Sequence, residues 1–150
     1  NAAGIGYLIT RNATTAGAEG GCQAEVGSAS AMAASAVVEL MGGTPRQCMD
    51  AASFAMVNIL GLVCDPIGGL VENPCQNRNA MGASNALISA ELSLAGIKSI
   101  TPIDETIGVM YAVGKSIPSE LRETSLGGMA VAKSACETCR ACAEKRNKQS

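Results

Sequence analysis

Glycine and proline divide this chain into short helical segments, and their positions limit its possible folds more than any other feature. From Glu25 to Leu40 apolar residues recur at helical spacing among alanines, and Gly42-Gly43 ends the segment. Thr44-Pro45-Arg46-Gln47 then combines an N-cap residue, a first-turn proline and a capping-box glutamine. The pattern predicts helices separated by glycine-rich loops.

The same reasoning extends along the rest of the chain. The helix that starts at Pro45 should run to about Leu60, a third should span residues 78–94, and Thr101-Pro102 should open a fourth that ends near Gly114. Residues 12–24 and 61–77 are too rich in small residues, glycine or proline to be regular. Because no long run alternates with period two, we predict an all-α fold with Gly/Pro-rich loops.

The core must be built from small and aliphatic side chains. Hydrophobic residues make up 47% of the sequence but aromatic residues only 2%, which favours closely packed helices. At 150 residues the chain has the size of one domain. We predict a helical domain over residues 1–132 and a mobile basic tail over 133–150. The start, Asn-Ala-Ala-Gly, resembles the middle of an element, so we expect the chain to be a piece of a longer protein.

Charge and hydropathy argue against two classes of partner. A formal charge of −2 does not favour binding to nucleic acid through a general basic field. No apolar run approaches the roughly 18 residues that a membrane span needs. Seven cysteines, an odd number, in a helical sequence fit a reducing compartment better than a disulfide framework, so we expect a cytoplasmic location.

Three cysteines lie at breaks in the chain. Cys22 follows Gly20-Gly21, Cys64 precedes Asp65-Pro66 and Cys75 follows Pro74. Since the chain has no histidine, a metal site here must be built from thiolates, which select zinc or iron–sulfur clusters. The spacings of 42 and 11 residues form no local motif, so the cysteines can share a metal only if the helices bring them together. Spacing alone leaves a cluster and separate thiols both open.

Several segments taken together resemble one known family. They are Gly20-Gly21-Cys22-Gln23-Ala24-Glu25-Val26-Gly27-Ser28-Ala29-Ser30, Gly61-Leu62-Val63-Cys64-Asp65-Pro66, Pro74-Cys75 with Arg78-Asn79-Ala80, and Leu121-Arg122-Glu123-Thr124 with Gly127-Gly128. In order and spacing they are similar to the α chain, or catalytic domain, of the iron–sulfur-dependent L-serine dehydratases. The resemblance runs from the start of the chain to about Val131.

The resemblance implies a complete chemical assignment. Cys22, Cys64 and Cys75 would hold a [4Fe–4S] cluster, and L-serine would be converted to pyruvate and ammonia without pyridoxal phosphate. Three thiolates on four irons leave one iron open, and that iron can act as a Lewis acid on the serine hydroxyl. The resemblance also implies a β domain or β subunit as partner and an oligomeric enzyme. A related lyase acting on threonine or cysteine, and a non-catalytic metal-binding module, are the alternatives.

The roles of the charged residues are more open. A base must remove the Cα proton, and without histidine in the chain we expect that base to lie outside it. Glu25 and Asp65 are the weaker candidates, since we favour a role as solvated or capping acids for them. Arg78 and Arg122 could bind a substrate carboxylate through two parallel hydrogen bonds, or could form structural ion pairs.

The remaining cysteines give one further hypothesis. Cys136, Cys139 and Cys142 form a C-x-x-C-x-x-C run, but Arg146 occupies the place where a fourth ferredoxin ligand would come. We hypothesise that Cys136 occupies the open iron when substrate is absent; loose tail thiols or a zinc site are the alternatives. Cys48 falls inside a helix and should be a small buried hydrophobic residue.

Overall fold

The structure, a computed structural model, describes residues 1–139 and is all-α, as predicted. Its α-helices are α1 (Ala2–Asn12), α2 (Gly17–Gly20), α3 (Cys22–Leu40), α4 (Pro45–Asn58), α5 (Cys75–Leu94) and α6 (Ile103–Ser116). Short 3-10 turns occur at Ile67–Gly69, Ser119–Leu121 and Gly128–Val131. Within the described residues the only β-type pairing is one isolated bridge between Cys64 and Arg122.

Helices α3, α4 and α5 pack against one another, and α1 and α6 cover them. The buried alanines of these three helices are Ala24, Ala31, Ala34, Ala51, Ala52, Ala55, Ala86 and Ala90. A Cβ at Gly82 in α5 would lie 2.6 Å from the Val26 side chain in α3, so glycine at this position lets the two helices pack closely. The structure confirms a core of small and aliphatic residues.

The predicted start of α4 is also confirmed. The Gln47 backbone N–H donates to Thr44 Oγ1 at 3.3 Å, and the Thr44 backbone N–H donates to Gln47 Oε1 at 2.9 Å. Pro45 occupies the first helical position, where a missing N–H costs nothing. Together these contacts satisfy two backbone donors that the helix start would otherwise leave free.

A buried amide joins the three central helices. Asn85 Nδ2 in α5 donates to Ser30 Oγ in α3 at 2.9 Å and to the Ala55 carbonyl in α4 at 2.8 Å. Asn58 Nδ2 donates to Asn85 Oδ1 at 2.8 Å. Since a buried amide without partners is costly, this network fixes how the three helices sit against one another.

Four helices differ from the sequence prediction. Residues 12–24, which were predicted to be irregular, contain α2 and the start of α3. Helix α1 was not predicted, although Ile5 and Ile9 lie one turn apart and are both buried in the core. Helices α3 and α5 each begin three residues earlier than predicted. Cys22 and Cys75 are therefore the first residues of helices and not loop residues, because Gly21 and Pro74 supply the positions that precede each helix.

The end of the described chain is partly ordered into helix. Residues 133–139 are helical and Ala135 is buried. Cys142 and Arg146 lie outside the described residues, so a mobile tail stays a prediction. Among the described helices, none combines the length and the apolarity that crossing a membrane requires.

Candidate metal centre

The start of α3 lies directly against the loop that carries Cys64. Gly21 precedes the helix with φ +74°, a conformation that favours glycine, and a Cβ there would lie 2.8 Å from the Leu62 carbonyl oxygen. The Gln23 backbone N–H donates to that same carbonyl at 2.9 Å. Cys22, between these two residues, is thereby placed beside the 61–64 loop, where it is buried.

A backbone bridge holds Cys64. Its N–H donates to the Leu121 carbonyl at 2.8 Å, and the Glu123 N–H donates to the Cys64 carbonyl at 2.7 Å. Glu123 adopts φ +67°, which is unfavourable for a residue with a side chain and occurs often at functional sites. The segment that contains Leu121, Arg122 and Glu123 thus contributes backbone contacts to the thiol site.

Two of the three predicted sulfurs come together with a carboxylate. The Sγ atoms of Cys22 and Cys64 and a carboxylate oxygen of Glu25 all lie within 4.8 Å of one another. A Cβ at Gly17 would lie 2.8 Å from Glu25 Oε2 and 3.2 Å from Cys64 Sγ. Glycine at position 17 therefore keeps this space free of protein atoms.

Cys75, the third predicted ligand, does not belong to this group. It is buried at the first position of α5, where the positive end of the helix dipole favours a thiolate. Burial raises the pKa of the Cys75 thiol, and the negative charge of the Cys22 thiolate raises it further. Cys75 is thus within electrostatic reach of Cys22.

The two adjacent thiols have opposite pKa shifts. A hydrogen bond from the Cys64 thiol lowers the pKa of Cys22 to about 7, and the Arg78 guanidinium lowers it as well, whereas burial and Glu25 act in the other direction. The hydrogen bond to Cys22 and burial raise the pKa of Cys64. Within this pair, deprotonation is therefore easier at Cys22 than at Cys64.

Arg78 and Asp65 form a buried ion pair. Arg78 NH1 donates to Asp65 Oδ1 at 2.5 Å and to the Val63 carbonyl at 2.9 Å. The second oxygen, Asp65 Oδ2, accepts the Met129 backbone N–H at 2.6 Å. Both Asp65 oxygens are therefore occupied, and Arg78 makes the structural ion pair that the sequence left as one of its two possible roles.

Arg122 is arranged differently. Its NH1 donates to the Glu19 carbonyl at 3.3 Å, and its Nε is buried without a hydrogen-bond partner among the described residues. A buried guanidinium N–H without an acceptor is costly. Arg122 therefore retains a donor for a further acceptor beside the Cys64 loop.

The other predicted cysteines that the structure describes do not belong to the group of Cys22, Glu25 and Cys64. Cys136 is half-buried, and its thiol contacts the Ala130 carbonyl oxygen at 3.7 Å. Cys139 lines a cavity of about 450 Å³ between residues 67–73 and 129–139, which none of Cys22, Cys64 and Cys75 lines. Cys48 lies in α4 and is buried in the hydrophobic core, as expected.

Sequence reasoning missed two residues that build the site. Gly17 was assigned to an irregular loop, and Gln23 was quoted only as part of a motif. The available signal was a long polar residue next to Cys22 in a segment of small side chains. Its partners, Met110 and Gly61, are distant in sequence and emerge only from the fold.

Comparison with known proteins places these features in a family. The family described as serine dehydratase alpha chain matches residues 1–130. The chain belongs to this family. All three cysteines and both arginines fall within the matched residues, and the predicted family is confirmed.

Similar proteins of known name belong to the same family. The chain is 61% identical over 130 residues to the L-serine dehydratase, alpha chain, of Peptoniphilus asaccharolyticus, which covers 87% of this chain and 44% of that protein. It is 57% identical over 129 residues to the probable L-serine dehydratase, alpha chain, of Bacillus subtilis (strain 168), covering 86% and 43%. With the L-serine dehydratase of Helicobacter pylori (strain ATCC 700392 / 26695) it shares 48% identity over 129 residues, covering 85% and 28%. The chain spans less than half the length of these relatives.

Proposed function

We propose that this chain carries the iron–sulfur centre of an L-serine dehydratase that converts L-serine to pyruvate and ammonia. The observation that carries the proposal is the pairing of the Cys22 and Cys64 sulfurs, which come from positions 42 residues apart. Cys75 lies within electrostatic reach, and family membership supports the activity. Cys22, Cys64 and Cys75 would hold a [4Fe–4S] cluster.

The donor set fits such a cluster. All three thiols are buried, and two of them start helices, where the dipole stabilises negative charge. Gly17 leaves space next to Cys64 and Glu25 that a side chain would fill. Soft thiolate donors without histidine match iron–sulfur chemistry.

When bound, the cluster supplies a Lewis acid for departure of the serine hydroxyl. In this proposal the chain's own residues bind and orient the substrate. Arg122 has a buried Nε–H that can donate to the serine carboxylate, which would fix the position of Cα. Arg78, engaged with Asp65, holds the Cys64 loop and the Cys22 thiolate in place.

We assign removal of the Cα proton to a group outside this chain. Asp65 is a poor base because both of its oxygens accept hydrogen bonds. Glu25 remains the weaker candidate: its pKa is raised by burial and by Glu123, and its carboxylate lies beside two sulfurs. The chain name of two relatives, "alpha chain", supports a β partner that completes the site.

Anaerobic purification of the full-length protein tests the proposal. We expect about four iron and four sulfide per chain, the composition of the proposed cluster. Visible thiolate-to-iron absorbance should bleach in air, and L-serine should yield pyruvate. Ser variants of Cys22, Cys64 and Cys75 should each lose iron, whereas Cys48→Ser, at an equally buried position, should keep it.

The opposite results distinguish the alternatives. A colourless protein that binds zinc through Cys136 and Cys139 would identify a metal-binding module. A brown protein that prefers threonine or cysteine to serine would identify a related lyase. Full iron content in all three Ser variants would refute the ligand assignment.

A further inference from the structure

We infer that Gln23 is a positioning residue that fixes the distance between Cys22 and Cys64. The inference rests on the proposed thiolate site, because it concerns how the chain holds two of the three sulfurs. Gln23 directly follows Cys22 in α3 and is 1% exposed.

Both ends of the Gln23 amide are engaged. Its Nε2 donates to the Met110 carbonyl in α6 at 2.9 Å, and its Oε1 accepts the Gly61 N–H at 2.8 Å. Its backbone N–H donates to the Leu62 carbonyl at 2.9 Å. One residue therefore joins the start of α3, the Cys64 loop and α6.

These contacts lie on a short route between the two sulfurs. Cys22 is bonded covalently to Gln23, and Cys64 follows Leu62 by two residues. On the far side, a Cβ at Gly114 in α6 would lie 2.8 Å from Gly20 Cα and 3.1 Å from Gln23 Nε2. Helix α6 thus supports the amide from behind and leaves it little room to move.

The site needs a donor and an acceptor at the end of a side chain of this length. Glutamate keeps an acceptor for Gly61 but presents no N–H to Met110, and methionine has similar length without either group. Each change leaves a buried backbone group without its partner. Gln23→Met therefore removes both connections and Gln23→Glu removes one.

Asn85 provides the matched control. It is also a buried amide that joins different helices, and it makes two hydrogen bonds as donor. Its acceptors are Ser30, eight residues beyond Cys22 in α3, and Ala55, nine residues before Cys64 in α4. Asn85→Leu keeps the approximate shape, removes these hydrogen bonds and should destabilise the fold without altering the sulfur pair.

The first experiment measures the sulfur pair without any metal. Metal-free full-length protein is treated with diamide, which accepts two hydrogens to become a hydrazine while two thiols become a disulfide. Mass spectrometry then follows the Cys22–Cys64 peptide. Wild type and Asn85→Leu should trap this disulfide at similar rates, and Gln23→Met should do so several-fold more slowly.

The second experiment measures retention of the cluster. Iron release to a chelator should be faster in Gln23→Met, because loss of a residue that orients ligands typically weakens metal binding about 10- to 100-fold. Gln23→Glu should lie between wild type and Gln23→Met. If Gln23→Met does not fold, Gln23→Glu takes its place in both experiments.

The outcomes separate this inference from the proposed function. Equal trapping rates in wild type and the folded Gln23 variant would overturn the positioning role, as would equal slowing in Asn85→Leu. Poor trapping in wild type itself would also overturn it. A wild type that traps quickly and holds no iron would refute the cluster while leaving the role of Gln23 supported.

Discussion

Two regions of this molecule are held together by different interactions. The helical body comprises α1, α4, α6 and the parts of α3 and α5 that follow residues 25 and 78, and apolar packing of alanine, isoleucine and methionine fills its core. The cysteine end comprises residues 17–25, 61–78 and 119–131. Individual polar contacts join its segments, chiefly the Gln23 amide, the Asp65–Arg78 ion pair and the backbone bridge at Cys64.

The difference separates stability from site geometry. In the apolar core of the body, stability is the sum of many small packing contacts. Loss of one apolar side chain there therefore lowers the free energy of unfolding without moving a particular atom of the site. At the cysteine end each polar contact fixes the position of one segment. Mutations in the two regions should therefore have different signatures, and the following four predictions test that separation, from the largest expected effect on stability to the smallest.

The largest effect should come from Arg78→Met. Asp65, only 3% exposed, would lose its charged partner, and breaking a buried ion pair typically costs about 3–5 kcal/mol. The control is Arg46→Met, which removes the other side-chain ion pair with a buried aspartate in the described residues. Asp50 is about as buried as Asp65, but water reaches Arg46, which is 66% exposed, so we expect a smaller loss than for Arg78→Met.

Denaturant unfolding of both variants measures the difference. Adding Asp65→Asn to Arg78→Met removes the stranded charge and should restore part of the stability. Equal losses for Arg78 and Arg46, or no recovery in the double variant, would contradict a special role for the pair at the cysteine end.

In the body, Met56→Ala should cost about 2–5 kcal/mol, since it leaves a cavity at a fully buried position in α4. The Cys22–Cys64 trapping rate under native conditions should stay unchanged. Leu87→Ala, on an exposed face of α5, should alter the unfolding free energy by less than about 0.5 kcal/mol. A change in the trapping rate of folded Met56→Ala would break the separation between the regions.

Two glycines with positive φ compare the regions directly. Gly42 has φ +80°, and a Cβ there would meet no other atom within 4 Å, so Gly42→Ala should cost about 1 kcal/mol from backbone strain alone. At Gly128, φ +61°, a Cβ would lie 2.7 Å from Asp65 Cβ and closer still to its carboxylate. Gly128→Ala should lower the free energy of unfolding by about 1–3 kcal/mol more than Gly42→Ala does, because the Asp65 side chain must move to make room for the new Cβ.

Unfolding curves give both costs, and the iron content of Gly128→Ala gives the local effect. We expect Gly128→Ala, but not Gly42→Ala, to hold iron less tightly. Identical behaviour of the two variants would show that the contact between Gly128 and Asp65 does not constrain the cysteine end.

The smallest effect on stability, and a local one, concerns protonation. In metal-free protein the Cys22 pKa of about 7 means that its thiolate forms as the pH rises through 7. Cys64→Ala removes the S–H donor, so the Cys22 pKa should rise toward its ordinary value of 9.0. Ultraviolet thiolate absorbance during a pH titration measures this shift. Cys48→Ala should leave the low-pKa step unchanged, and a step that persists in Cys22→Ser would assign it to another thiol.

The sequence predicted the body better than the cysteine end because the body depends on local signals. The start of α4 is determined by a capping box and a first-turn proline, all within the four residues from Thr44 to Gln47. Ile5 and Ile9 have the spacing of one helical turn. A single such pair among small residues is too weak a hydrophobic pattern to predict a helix, so α1 was missed.

At the cysteine end the deciding contacts are distant in sequence. Nothing local predicts that Gln23 meets Met110, 87 residues away, or that Asp65 accepts the Met129 N–H. The family resemblance named the cysteines, whereas the contacts that align them depend on the packing of α6 and of residues 119–131. The residue types and the family resemblance thus supply the candidate ligands, and the contacts that hold those ligands come from the tertiary structure.

The Asp65 carboxylate has a consequence for the order of events during synthesis. It joins Arg78 to the backbone of Met129, while the Cys64 backbone pairs with Leu121 and Glu123. In a nascent chain, Cys22, Cys64 and Cys75 therefore leave the ribosome before Leu121, Glu123 and Met129, whose backbone groups make these contacts. Assembly of the proposed centre should therefore be a late event, and a chain truncated before residue 119 should acquire iron poorly even though Cys22, Cys64 and Cys75 are all present.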